Sequence, residues 1–252
     1  MELFDSHCHF NDSKFDTDRD EIIKQTYIEG VTKINCAGYD VVSSIEAVKL
    51  AEKYDFIYAS CGISPNDAHD ADKVKLIEEM LDNKKVVAVG EIGLDYYWNK
   101  DNKEIQKELF IKQIEMANKH NLPIQIHTRD AHFDTISILK EHPVNKKGIF
   151  HCCPLNQELI KEAVYLGYYI SFCGNITFKN AKAAPCIELV PMNQILIETD
   201  SPYLSPEPYR GKRNDSRNVK YVAQKISEVK DLSVDEVAKI TYQNACNAFK
   251  IQ

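Results

Sequence analysis

From its second residue to its last helix, this chain alternates short β-branched runs with stretches of helical period. The strand-like runs fall at 2–9, 31–37, 57–63, 86–92, 124–127, 148–152, 168–172 and 194–199. Helical stretches are expected at 18–29, 43–54, 73–83, 102–120, 135–141, 157–166, 217–229 and 234–249. A strand, a helix and a further strand bring the chain back in the same direction, so successive strands run parallel. Eight such units favour closure into an α/β (β/α)8 TIM barrel. An open doubly wound sheet would want a glycine-rich phosphate loop after its first strand, and Asp5-Ser6-His7-Cys8-His9 is not one. No repeat, low-complexity tract or Gly/Ser linker interrupts the pattern, and the proline-rich stretch 201–208 reads as an ordered loop. Residues 1–252 are therefore expected to form a single domain.

Two helix starts carry a capping-box pattern, Asp101 with Glu104 and Ser233 with Glu236. In the clearest helix, Ile105, Leu109, Phe110, Ile114 and Ala117 are expected on one buried face. The eight cysteines include no CxxC pair and sit mostly in apolar runs, so they read as small buried hydrophobes of a reducing compartment. No basic segment followed by an apolar run opens the chain, and no stretch reaches the roughly 20 apolar residues of a membrane span. The expectation is a cytoplasmic protein with no membrane association and no stable protein partner. Its formal net charge is −7, so phosphate chemistry would have to rest on local charge, above all on bound cations.

His7 and His9 stand two apart at the end of the first strand, a spacing that turns both imidazoles to one side. Alone, such a pair is weak evidence. Its context is stronger: Glu91, His127, His151 and Asp200 fall at the ends of the fourth, fifth, sixth and eighth strands. In a TIM barrel those ends share the catalytic face, where charged and imidazole groups are costly unless something pairs with them. Six protein ligands exceed what one catalytic ion with an open position needs. They divide into His7, His9 and Asp200 for one cation and His127 and His151 for a second, with Glu91 bridging. Two divalent cations (Mg, Mn, Zn, Ni or Fe) would activate a water and polarise a phosphoryl or carbonyl oxygen.

The segments Asp5-Ser-His-Cys-His, Gly90-Glu-Ile-Gly-Leu-Asp-Tyr, His127-Thr-Arg-Asp-Ala, Ile170-Ser-Phe-Cys-Gly-Asn-Ile-Thr-Phe-Lys, Glu198-Thr-Asp-Ser-Pro-Tyr-Leu and Pro208-Tyr-Arg-Gly-Lys-Arg-Asn closely resemble the TatD family of metal-dependent deoxyribonucleases. The resemblance spans residues 3 to about 247. It implies an amidohydrolase-like barrel that cleaves DNA phosphodiesters with two divalent cations, and it places the family's ligands on His7, His9, Glu91, His127, His151 and Asp200. Three departures stand out. Gly62-Ile-Ser-Pro65 puts Ser64 where the family usually has a histidine, His151-Cys-Cys-Pro-Leu replaces His-Cys-Phe-Ser-Gly, and Asn214-Asp215-Ser216 replaces Asn-Glu-Pro.

Around this centre, Arg129 is expected to clamp a phosphate, against an ion pair with Asp130 or Asp95. Arg210 and Arg213, in the basic loop 209–213, are candidates for backbone phosphates, and Tyr203 for stacking on a base. His69, His120, His132 and His142 are expected at the surface or at helix caps. DNA is the expected substrate. Metal-activated water would attack phosphorus with Asp200 as general base and Glu91 at the bridge. The nearest rival is a two-metal hydrolase of small amide, lactone or phosphoester substrates on the same barrel. A non-catalytic metal-stabilised barrel is the third reading.

Overall fold

Residues 1–98 and 100–251 are described by a computed structural model. Eight parallel strands run in sequence order: β1 (Leu3–Cys8), β2 (Val31–Ala37), β3 (Ile57–Cys61), β4 (Val86–Asp95), β5 (Ile124–Arg129), β6 (Gly148–Phe150), β7 (Tyr169–Phe172) and β8 (Ile195–Ile197). Hydrogen bonds from Asp200 N to His7 O (3.0 Å) and from His9 N to Ser201 O (2.7 Å) join the end of β8 to β1, nearly closing the sheet into a barrel. Helices α1 (Arg19–Ile28), α2 (Val41–Lys53), α3 (Val74–Glu78), α4 (Lys103–Lys119), α5 (His132–Glu141), α6 (Gln157–Tyr165), α7 (Ala184–Leu189), α8 (Val219–Lys230) and α9 (Val234–Phe249) follow. No helix among the described residues is long and apolar enough to cross a membrane.

Periodicity did not anticipate α7, which is too short to show a face, nor the 3-10 stretch Pro65–Lys73 before α3. The Ser233–Glu236 capping box forms, with Glu236 N donating to Ser233 Oγ (3.2 Å) and Ser233 N to Glu236 Oε2 (2.9 Å). The Asp101–Glu104 box does not. Asn102 stands at the N-cap of α4 and Glu104 pairs with Lys107 at 3.1 Å instead. Ile105 also turns outward at 49 % exposure, and Gln106 and Gln113 join Leu109, Phe110, Ile114 and Ala117 on the buried face. Each glutamine bridges to the strand side: Gln106 Oε1 accepts from Asp95 N (2.8 Å), and Gln113 Oε1 from Ile63 N (2.8 Å).

The barrel lumen changes character along its axis. At the bottom Phe4, Ala88, Ile149 and Leu196 form an apolar plug covered by α9, with Phe4 stacked on Phe249 at 5.6 Å. Above it lies a buried polar layer. Ser60 Oγ and Asn35 Nδ2 both donate to Gln125 Oε1 (2.8 and 2.9 Å), while Ser6 and Ser171 hydroxyls meet at 3.0 Å. Buried polar atoms of this kind are tolerated because they satisfy one another. The layer is the floor on which the strand-end side chains stand.

Candidate metal centre

Two strands lose regular register where they reach the site. Pairing of β1 with β2 slips between Asp5 and Cys8, and pairing of β4 with β5 slips between Val89 and Ile92. Such irregularities re-aim side chains. Here they let Ser6 and His7 both enter the lumen and bring the Glu91 carboxylate to its centre. Asp200, just beyond β8, has φ 52°, a left-handed conformation that aspartate tolerates better than most residues.

All six expected ligands converge in two groups. His7 Nε2 and His9 Nε2 are 3.2 Å apart, with Asp200 Oδ1 at 3.8 and 3.3 Å from them. His127 Nδ1 and His151 Nε2 are likewise 3.2 Å apart. Glu91 straddles the groups. Its Oε2 lies 3.5 Å from His7 Nε2 and 3.8 Å from His9 Nε2, while its Oε1 lies 3.0 Å from His127 Nδ1 and 3.5 Å from His151 Nε2. The donors fit divalent cations. Two nitrogens bound to one ion at roughly 2.1 Å each would stand about 3.0–3.4 Å apart for octahedral to tetrahedral angles. Facing imidazole nitrogens and carboxylates in so buried a place want a shared cation to offset their lone pairs.

Each imidazole presents one nitrogen to this centre and turns the other to an acceptor, which fixes its tautomer. His7 Nδ1 meets Gln125 Oε1 at 3.3 Å and His9 Nδ1 meets Ala37 O at 2.9 Å. His127 Nε2 meets Asp95 Oδ2 at 3.0 Å, and His151 Nδ1 faces Glu198 Oε1 at 3.4 Å. Asp5 is no part of the donor set. Its oxygens accept from Thr199 N (2.9 Å) and Thr199 Oγ1 (2.6 Å), anchoring the turn that carries Asp200.

Electrostatics separate the members. Burial, then the neighbouring His151 charge, lowers the pKa of His7. Burial also opposes a charge on His9, but the hydrogen bond and charge of Asp200 outweigh it and raise His9 to about 9. Against the same burial, Asp95 and Glu91 raise His127, and Glu91 and Glu198 raise His151 well above its usual value. Glu91 is held well below the usual carboxylate range, because His151 and the other imidazoles overcome its desolvation.

The centre opens into a cavity of about 740 Å³ bordered by Tyr39, Ser64, Trp98, Arg129, Cys152 and Tyr203. Arg129 makes no ion pair among the described residues and lies over the Tyr97 ring at 3.8 Å. Tyr203 donates its hydroxyl to Asp12 Oδ2 (2.7 Å) and packs under Lys14. The two loop arginines stand apart from the cavity lining. Arg213 is bound to Asp18 (2.6 and 2.9 Å), and Arg210 lies over Phe178 at 4.3 Å. Ser64 caps the Pro65–Lys73 stretch, accepting from Asn66 N (3.2 Å) and donating to Asp67 Oδ2 (2.7 Å). Cys152 and Cys173 place their sulfurs 2.7 Å apart beside Glu198, and all eight cysteines are free.

Three residues that support the imidazoles were not expected in that role, Asp95 having been weighed only as a partner of Arg129. Asp95 and Glu198 lie at even spacing from Glu91 and Asp200, which is the signal that could have found them. Gln125 likewise precedes His127 by two residues.

A TIM barrel with imidazoles and carboxylates gathered at its strand ends defines the class: a metal-dependent hydrolase scaffold. The model of the TatD-related DNase family matches residues 4–250, and the chain belongs to that family. It is 45% identical over 253 residues to the uncharacterized metal-dependent hydrolase YabD of Bacillus subtilis, with 99% of each chain covered. It is 35% identical over 256 residues to the uncharacterized metal-dependent hydrolase YcfH of Escherichia coli K12, covering 100% of this chain and 97% of YcfH. The crystal structure of YJJV, a TatD homolog from Escherichia coli K12, superposes with a TM-score of 0.94 at 28% identity, covering 99% of this chain and 98% of that one.

Proposed function

We propose that this protein is a metal-dependent deoxyribonuclease that hydrolyses DNA phosphodiester bonds at a pair of divalent cations. Membership of a family described as TatD-related DNases supports the substrate. The observation that carries the two-cation reading is the Glu91 carboxylate, whose two oxygens face separate histidine pairs at 3.0–3.8 Å. His7, His9 and Asp200 would hold one cation, His127 and His151 the other, with Glu91 between. Bound there, the cations would supply Lewis acidity and make a water acidic near neutral pH. Asp200, whose backbone N–H donates to the His7 carbonyl, would take the proton of the attacking water. Glu91 sets the separation of the two half-sites. Arg129 is left to face a phosphate oxygen, and Tyr203 borders the same cavity. Arg210 and Arg213 would reach the DNA backbone only outside the cavity, Arg213 after exchanging Asp18 for phosphate. The free thiols fit a reducing, cytoplasmic setting.

The test is metal analysis of the purified protein together with cleavage assays on single- and double-stranded DNA. About two divalent ions per chain and DNA cleavage lost in Asp200→Ala are the expected results. DNA left intact with every divalent metal supplied would overturn the reading. One observation favours a second reading: net charge −7 and an Arg213 already paired leave little local positive charge for a polyanion. A small amide, lactone or phosphoester substrate would suit that surface, and turnover of such a panel without DNA cleavage would select it.

A further inference from the structure

We propose that Trp98, Tyr97 and Arg129 form a platform on which an unstacked nucleobase of the substrate stacks, with the Arg129 guanidinium meeting the adjoining phosphate. The inference rests on the reading of the substrate as a polynucleotide. Trp98 is the only tryptophan in the chain and is 65 % exposed at the rim of the metal cavity. A large aromatic ring so close to a polar centre thus leaves most of its surface open to a ligand. Tyr97 meets it edge-on, with centroids 4.8 Å apart and ring planes at 89°. The Arg129 guanidinium sits 3.8 Å from the Tyr97 centroid and 5.5 Å from that of Trp98. Without an ion-pair partner among the described residues, this cation keeps its charge for a ligand while its plane is held by an aromatic face. Exposed π-surface beside an uncommitted guanidinium suits a base with its phosphate, and such stacking tolerates any base.

The platform is also tied to the metal centre by one carboxylate. Asp95 Oδ1 accepts from Tyr97 N (2.9 Å) and Trp98 N (3.0 Å), while its Oδ2 takes His127 Nε2 (3.0 Å). The turn carrying the aromatics and the ring of a ligand are thus positioned by the same side chain. A base seated on Trp98 would be at a fixed offset from the cations.

Because Trp98 is the sole tryptophan, indole fluorescence reports on this residue alone. Rapid mixing of the metal-loaded protein with a short single-stranded deoxyoligonucleotide, before turnover, is expected to quench it saturably. The same strand with its bases removed (an abasic analogue) is expected to quench far less. Trp98→Ala should raise KM for the base-bearing strand roughly 10-fold or more, with Trp98→Phe recovering much of the loss and the abasic strand penalised less. Absent quenching, equal quenching by both strands, or equal penalties on both would overturn the platform. Base-dependent quenching without cleavage under any divalent metal would keep the platform and remove the deoxyribonuclease reading. Cleavage without quenching would do the reverse.

Discussion

The two histidine pairs that Glu91 straddles are supported differently. His7 and His9 lean on neutral acceptors, the Gln125 amide and the Ala37 carbonyl. His127 and His151 lean on carboxylates, Asp95 and Glu198. A carboxylate behind an imidazole makes it more basic and a stronger ligand; a neutral acceptor orients it without adding that charge. Access differs from donor to donor. The His7 side chain is fully buried, whereas that of His127 is 20% exposed. His127 is thus the most open of the six donors, while His151 at 4% is as enclosed as His9 at 5%, so the pairs differ mainly in the charge behind them. Two histidine pairs of similar donor type on one barrel therefore need not bind a cation alike.

The largest effect is expected from Glu91→Ala, since the two Glu91 oxygens face both histidine pairs. Activity should fall on the order of 10³-fold or more, with metal content dropping below that of the parent protein. Activity assays with elemental analysis would check both; an unchanged metal content would refute the bridging role. A change at one pair only should sharpen the contrast. Asp95→Asn keeps the shape but removes the charge behind His127, and should weaken the cation held there roughly 10- to 100-fold. Gln125→Ala should weaken the His7 side less, because the acceptor behind His7 carries no charge, and it should also lower Tm by leaving the buried Ser60 and Asn35 donors without this partner. Titration of metal-free protein by calorimetry would resolve the two, and equal losses would mean that the backing charge is irrelevant.

A third expectation concerns protons. His9, raised to about 9, and His151, raised well above its usual value, hold protons at neutral pH without metal, and His127 is shifted in the same direction. Cations must displace those protons, so affinity should rise with pH toward about 9, by about tenfold per pH unit for each proton released. His7, with its lowered pKa, adds nothing to this dependence at neutral pH and above. Calorimetry in buffers of different ionisation enthalpy counts the protons, and a flat affinity from pH 6 to 9 would contradict the assignment. The smallest effect is Ser64→Ala, which removes a cap outside both pairs. It should cost about 1 kcal/mol and lower Tm by roughly 2–4 °C, with metal content unchanged. A loss of metal instead would place Ser64 in the centre.

Much of the barrel was legible because periodicity is local. β-Branched runs and helical faces are set by neighbours a few residues away, and they located all eight strands to within a few residues. The short α7 and the 3-10 stretch were not legible, because one or two turns hold too few residues to show a face. The misassigned cap at Asp101 has the same origin. A capping pattern names residue types, but tertiary packing chose Asn102 as the boundary.

The ligand residues themselves were visible because each ends a strand and carries a group that is costly to bury alone. Even spacing marks the residues that hold them, but not which ligand each one holds. Asp95 behind His127, Glu198 behind His151, Gln125 behind His7 and Arg129 beside Trp98 are all brought together by strand register across the barrel. The slips in β1 and β4 that aim His7 and Glu91 likewise leave no periodic trace in the chain. The sequence by itself determined the order of elements and the chemistry available at their ends. Only the tertiary structure decided which donor faces which, because a hydrogen bond between strands depends on register and shear, and these emerge when the whole sheet closes.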